Sequence, residues 1–336
     1  MAGAPELFGV VSELSGGVDP RRPTILILNA GAVHHVGPNR LHVDVARRFA
    51  EVGFRSVRVD IQGLGDSPAA DPAFENAVYP DTLFRDIERM MTWLQEHEGA
   101  TRIVLFGLCS GAYAAFQAAA QSRNPALVEA LLLNPLTFFW REGMPLDDAG
   151  IQAIEDDNYY THVMFDPRKW WKLLTGRSRT GVYGALKIAL RKVLSRRSGV
   201  LPMPEGLPAV KSEPGVPSHP QRPDLRGDLA RIRTAERHVA LWFSPTEPGY
   251  TILMLQAKRQ VRDAIRAGAM RIDHVAGADH TFSNLGPRRV LLGRLAEHLG
   301  QRYPRRDDPK PRDERCETSR FPGIAATSSA STIRTQ

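Results

Sequence analysis

A mostly parallel β-sheet covered by helices on both faces, with an inserted helical cap, is the α/β fold class that the sequence predicts. Three observations point to it. Short apolar, β-branched runs alternate with helical stretches; one such run passes through Gly-Leu-Cys-Ser-Gly directly into an Ala-rich helix; and the alternation lapses between residues 140 and 235. Strands that alternate with helices need crossover connections, which bury a parallel sheet on both faces.

Thr24 to Leu28 (TILIL) reads as a buried strand, followed by the loop NAGAVHHVGPNR. His42 to Val52 has helical spacing and stops at Gly53, a residue suited to the left-handed turn after a helix. Ser56 to Asp60 (SVRVD) is the second strand. Asp81 to His97 is an amphipathic helix with Leu83, Phe84, Ile87, Met90, Met91 and Leu94 on its apolar side. Arg102 to Phe106 is the third strand, Gly111 to Ser122 the Ala-rich helix, and Val128 to Leu133 the next strand. Alternation resumes with a strand at His238 to Phe243, a helix at Thr251 to Ala267, a strand at Met270 to Val275 and a closing helix from Pro287 to about Tyr303. The expected organisation is a core of residues 1–140 and 236–303, a cap with a Pro-rich loop at 141–235, and a charged, then Ser/Thr-rich tail at 304–336 that reads as disordered.

The chain has 336 residues, 42% of them hydrophobic, enough for a large core. Its two cysteines, Cys109 and Cys316, argue against a disulfide framework and fit a reducing cytoplasm. The N-terminus lacks a basic start followed by an apolar core, so no signal peptide is expected, and no apolar run is long enough to span a membrane. The net charge of +7 is unevenly spread: residues 166–199 hold ten Lys or Arg against one acid, Asp166. Such runs are by default solvated helix faces. A functional face would roof an apolar acyl pocket, dock an acidic acyl carrier protein or its phosphopantetheine arm, or lie on an anionic membrane surface. Nucleic acid is not expected, because no binding motif accompanies the charge.

Strand, Gly-x-Cys-x-Gly, then helix is a nucleophile elbow. A nucleophile on a sharp strand-to-helix turn needs glycines where the two elements approach, here Gly107 and Gly111. The helix N-terminus behind it favours a thiolate. The competing reading makes Cys109 a small core residue, as free cysteine often is, and Ser110 lies one position off the elbow centre.

In this arrangement the chain resembles the α/β-hydrolase superfamily over about residues 5–140 and 236–303. NAGAVHHVGPNR stands where that family has its oxyanion loop, VDIQGLGDS is similar to its Asp-x-x-Gly-x-Gly-x-Ser segment, GLCSG to its elbow, and AGADHTF to its histidine loop. The cysteine resembles that of dienelactone hydrolase. The combination NAG, VGPNR, GLGDS and GLCSGA resembles hydrolases associated with exosortase and exopolysaccharide systems.

The resemblance implies a triad of Cys109, His280 and an acid. Glu247, after the strand HVALWF, holds the family's usual acid position; Asn134 is an alternative orienter, and Asp279, adjacent to His280, diverges from it. Two backbone donors would form the oxyanion hole, Ser110 and Ala32. His34, His35 and Arg40 of the oxyanion loop, with Trp170 and Trp171 of the cap, are candidate substrate contacts, and His274 is expected to be structural. GLGDS has no third glycine and Pro68 opposes an immediate helix, so no dinucleotide site is expected, nor any other cofactor or metal. The expected activity is hydrolysis of an ester or thioester, with an acyltransferase or carrier-linked thioesterase on the same triad as the first alternative, and a non-catalytic binding protein as the second.

Overall fold

The computed structural model describes residues 6–15, 17–141, 217–245 and 247–305. The aromatic and basic stretch with Trp170 and Trp171, residues 201–216 of the Pro-rich segment, and the tail from residue 306 lie outside the described residues.

Seven strands form one sheet: β1 (Gly9–Ser12), β2 (Thr24–Ile27), β3 (Ser56–Val59), β4 (Ile103–Leu108), β5 (Leu127–Leu133), β6 (His238–Phe243) and β7 (Met270–His274). Their order is β1-β3-β2-β4-β5-β6-β7. Every neighbouring pair is parallel except β1 with β3, which is antiparallel. Six α-helices are described: α1 (Leu41–Glu51), α2 (Leu83–His97), α3 (Ser110–Gln121), α4 (Leu225–Thr234), α5 (Pro248–Arg266) and α6 (Leu285–Arg302).

The helices divide between the two faces as alternation along the strands requires. Ile25 and Ile27 of β2, Val104 and Phe106 of β4, and Trp242 of β6 pack with Leu41, Val45 and Phe49 of α1 and Leu291, Leu295 and Leu299 of α6. Leu26, Leu105, Leu132 and Leu241 face the other way, against α2, α3, α4 and α5. The central strands β2 to β6 are buried, which is why each reads as a nearly continuous apolar run.

Two elements depart from the sequence reading. β1 was not expected: GVVS is short, and as an edge strand it alternates exposed and half-buried positions. α4 lies inside the span assigned to the cap, yet Leu225, Leu229 and Ile232 are buried in the core beside α3 and α5. The core therefore resumes by Leu225, not at residue 236. The mixture of arginines and apolar residues in LRGDLARIRT, next to a Pro-rich stretch, hid that helix.

The chain runs from β2 out to β3, then crosses back to β4 on the other side of β2. The connections after β2 and β4 thus diverge, and they leave a crevice at the carboxyl ends of the strands. Open α/β sheets place their ligands at such a point.

Candidate active site

Cys109 follows β4 at that crevice and caps α3, with φ 56° and ψ −115°. This conformation is open to few non-glycine residues and costs on the order of 1–3 kcal/mol, so its surroundings must impose it. They do so by contact. The Cys109 N–H donates to the Leu133 carbonyl at 3.0 Å, and the Cys109 carbonyl accepts from Tyr113 N–H at 3.1 Å. A Cβ on Gly107 would lie 2.1 Å from the Gly111 backbone, and one on Gly111 would lie 2.4 Å from the Asn29 carbonyl oxygen. The two glycines of GLCSG thus let strand, helix and the loop after β2 meet.

His280 comes from the loop after β7. Its Nδ1 is 3.0 Å from Glu247 Oε2, and Cys109 lies close enough to raise the pKa of the ring. Burial pulls the imidazole pKa down, but its interactions with Cys109 and Glu247 outweigh it and hold the value up to about 10. Glu247, almost fully buried ahead of α5, accepts a second hydrogen bond on Oε1 from Ser244 Oγ at 2.6 Å. Sequence positions 109, 247 and 280 thus meet through loops after three parallel strands, β4, β6 and β7.

Asn134 has a different place from the one considered for it. Its Nδ2 donates to the His280 backbone carbonyl at 2.8 Å, and its Oδ1 accepts from Ser244 N–H at 2.8 Å. It joins the acid loop to the histidine loop and does not orient the imidazole ring. Asp279 turns to Ser283, whose backbone N–H it accepts at 2.7 Å.

In the loop after β2, Gly31 and not Ala32 makes the contact with the elbow: Gly31 N–H donates to Ser110 Oγ at 2.7 Å, while Ala32 is exposed. His34 is exposed and lies edge-on to His35. His35 Nδ1 lies 2.8 Å from the buried Asp60 carboxylate, so this side chain is engaged within the protein. Arg40 is exposed, in a left-handed conformation (φ 62°) ahead of α1. His274 ends β7 and packs edge-on against Tyr250. Trp170 and Trp171 lie outside the described residues.

An aromatic group beside the elbow was missed. Tyr79 stacks on Trp140 at 4.8 Å between centroids and meets Tyr113 edge-on, and Tyr113 Oη is 2.9 Å from His219 Nδ1. Burial and then the nearby Cys109 sulfur push the Tyr79 phenol pKa up. Only Tyr113, four residues past Cys109 on α3, carried a sequence signal, through helical spacing.

The strand order with its antiparallel β1, the strained residue between β4 and α3, and the loops bearing Glu247 and His280 after β6 and β7 define the α/β-hydrolase fold. No family model and no curated protein matches the chain. Solved structures do. An α/β serine hydrolase homologue from Coxiella burnetii is 14% identical with a TM-score of 0.47, over 88% of this chain and 92% of that one. An esterase from Pyrococcus furiosus is 12% identical with a TM-score of 0.49, over 89% and 91%. A proline iminopeptidase from Mycobacterium smegmatis is 16% identical with a TM-score of 0.47, over 89% and 96%. Similarity at these levels carries nothing about substrate or nucleophile.

Among the described residues, no helix is long and apolar enough to cross a membrane.

Proposed function

We propose that the chain is a cofactor-free hydrolase of a carboxylic ester or thioester, acting through Cys109, His280 and Glu247. The observation that carries this reading is His280 held between Cys109 and Glu247, with its Nδ1 on the carboxylate at 3.0 Å. That leaves Nε2 for the sulfur.

In this mechanism His280 holds the proton given up by Cys109, and the thiolate attacks the acyl carbonyl carbon. The carbonyl oxygen takes the negative charge and is held by the N–H groups of Ser110 and Gly31. Gly31 N–H donates to Ser110 Oγ in the resting site; it keeps its direction and exchanges that hydroxyl, which rotates aside, for the stronger charged acceptor. The tetrahedral adduct collapses, His280 passes its proton to the leaving alcohol or thiol, and the acyl group stays on Cys109 as a thioester. Water then attacks that thioester, His280 takes a proton from the water, and a second collapse releases the acid and returns the proton-bearing imidazole and the thiolate. Glu247 keeps the imidazole in one tautomer and offsets its charge, and Ser244 fixes Glu247.

Hydrolysis of p-nitrophenyl esters and acyl thioesters by wild type, Cys109→Ala and His280→Ala tests the reading. Both variants are expected to lose at least about 1000-fold in kcat, and mass spectrometry of the quenched wild type should find the acyl group on Cys109. Equal turnover in all three proteins would end the proposal. Products formed in the presence of added amines and alcohols separate hydrolysis from acyl transfer.

A further inference from the structure

Asp60 follows β3, is fully buried, and collects hydrogen bonds from both ends of the loop that carries Gly31. Its Oδ1 accepts from Asn29 Nδ2 at 2.7 Å, and its Oδ2 faces His35 Nδ1 at 2.8 Å and accepts from Asp66 N–H at 3.1 Å. Asn29 and His35 bracket Gly31, and both answer to one carboxylate.

The loop is also closed on itself. Asn29 Nδ2 donates to the Val33 carbonyl at 3.0 Å, Val33 N–H to the Ala30 carbonyl at 3.2 Å, and Asn29 Oδ1 accepts from Ile61 N–H at 2.9 Å. On its other side the Asn29 carbonyl stands where any Cβ on Gly111 would strike it. The short segment bearing the Gly31 N–H is therefore wedged between the elbow and Asp60. The Asp60 backbone is in turn fixed from behind: Ser67 Oγ donates to the Asp60 carbonyl at 2.6 Å and accepts from Phe8 N–H at 2.8 Å. That accounts for the serine of GLGDS and ties the clamp to the lead-in to β1. Gly65 leaves room for it, since a Cβ there would lie 2.3 Å from Asp60 Oδ2.

A backbone donor contributes to catalysis only when it is already aimed at the developing charge, so whatever fixes its direction acts on the transition state more than on substrate binding. We propose that Asp60 is a positioning residue that holds the Gly31 loop at both ends, through Asn29 and His35, and thereby sets the oxyanion donor opposite Cys109. The proposal rests on the hydrolase reading above, and the experiment separates the two.

Three readouts are compared in wild type, Asp60→Asn, His35→Ala and His35→Asn. Turnover of a p-nitrophenyl ester and inhibition by a trifluoromethyl ketone, which forms a tetrahedral adduct with a nucleophile, read the oxyanion hole. Iodoacetamide alkylation of Cys109, which forms no oxyanion, reads the sulfur and its base alone. Hydrogen exchange of peptides spanning residues 29–35 reads the loop without any turnover. The expected result for Asp60→Asn is a kcat lower by about 100-fold, a KM within about twofold, a ketone affinity lower in parallel with kcat/KM, alkylation within about twofold, and faster loop exchange. His35→Ala should follow in the same direction by about 10-fold, since it frees one end of the loop only. His35→Asn should recover most of that, because its amide can donate to Asp60 from nearly the position of Nδ1.

Unchanged loop exchange in Asp60→Asn and His35→Ala overturns the clamp. Faster exchange with unchanged kcat and ketone affinity overturns its catalytic meaning, and so does an equal loss of turnover and alkylation, which marks general collapse of the site. If Asp60→Asn fails to fold, the two His35 variants decide the matter on the same readouts. A wild type that neither turns over nor alkylates fails the hydrolase reading, and the positioning role falls with it.

Discussion

Between Cys109 and Glu247, His280 keeps its proton far above the usual range for histidine, to about 10. A histidine whose folded value is raised contributes stability that is fully present below its unfolded value, 6.5, and is lost as pH rises through about 10. The same proton serves the leaving group in the proposed mechanism, so kcat/KM is expected to fall along a high-pH limb near 10. Glu247→Gln removes one of the groups that raises His280. It should lower kcat by roughly 100- to 10,000-fold and move that limb down toward 6.5. A pH–rate profile of the two proteins checks this; a limb that stays in place would show that Glu247 does not govern the imidazole. At this scale the sequence was informative where spacing along one element decides contact, as for Gly107 and Gly111. It was silent on Gly31 against Ala32, because which of two adjacent N–H groups faces the elbow depends on loop geometry. It was equally silent on Asn134, whose two hydrogen bonds reach residues at positions 244 and 280.

The elbow depends on three elements touching at backbone distance. Gly111→Ala keeps α3 a good helix in isolation, since alanine is the better helix former. In the protein, however, the new methyl would stand 2.4 Å from the Asn29 carbonyl, which belongs to neither flexible side chain nor solvent. Overpacking of that kind costs about 1–3 kcal/mol. Thermal unfolding should show a loss of that size, and kcat should fall more than about 10-fold, because the same push displaces the loop bearing Gly31. Unaltered melting and turnover would mean that the contact relaxes freely. The elements themselves were largely legible in the sequence: the central strands by continuous apolar runs, α2 by its period. The two that were not, β1 and α4, lack those signals for physical reasons. An edge strand has few buried positions, and a helix that buries only one narrow side can carry arginines on the rest.

Across the whole molecule, polar chemistry is concentrated at both ends of the sheet. The carboxyl ends of the strands hold the candidate site. Toward the amino ends, Glu129 of β5 is fully buried and accepts from His238 Nδ1 and His298 Nε2, each at 2.6 Å, and from Tyr303 Oη at 2.8 Å. Burial raises this carboxyl, but the hydrogen bonds from the two histidines outweigh it and hold it down to about 2. A depressed carboxylate contributes stability that is present above its unfolded value, 4.5, and is lost as pH falls through about 2. Glu129→Leu leaves the two histidines unpaired and is expected to cost about 3–5 kcal/mol at pH 7, while flattening the acid dependence of the melting temperature below 4.5. A variant with wild-type acid sensitivity would exclude this network as its source. The sequence concealed the cluster because its members lie 109 and 169 positions apart. Its one outward sign was a glutamate within the apolar run LVEALLL.

The stems that flank residues 142–216 are fastened to the core by rings: Trp140 lies on Tyr79, and His219 bonds Tyr113 and the Pro80 carbonyl, with the Trp140 and His219 rings 4.9 Å apart. Two ends so close need only a short bridge. Replacing the intervening span by a few Gly and Ser residues should leave a cooperatively melting core, aided by about 2 kcal/mol from a roughly tenfold shorter closure; loss of the cooperative melt would show that the core needs that span. The junction thus behaves as a socket with its own fasteners: one scaffold can trade the span between these two ends without renegotiating how the sheet folds.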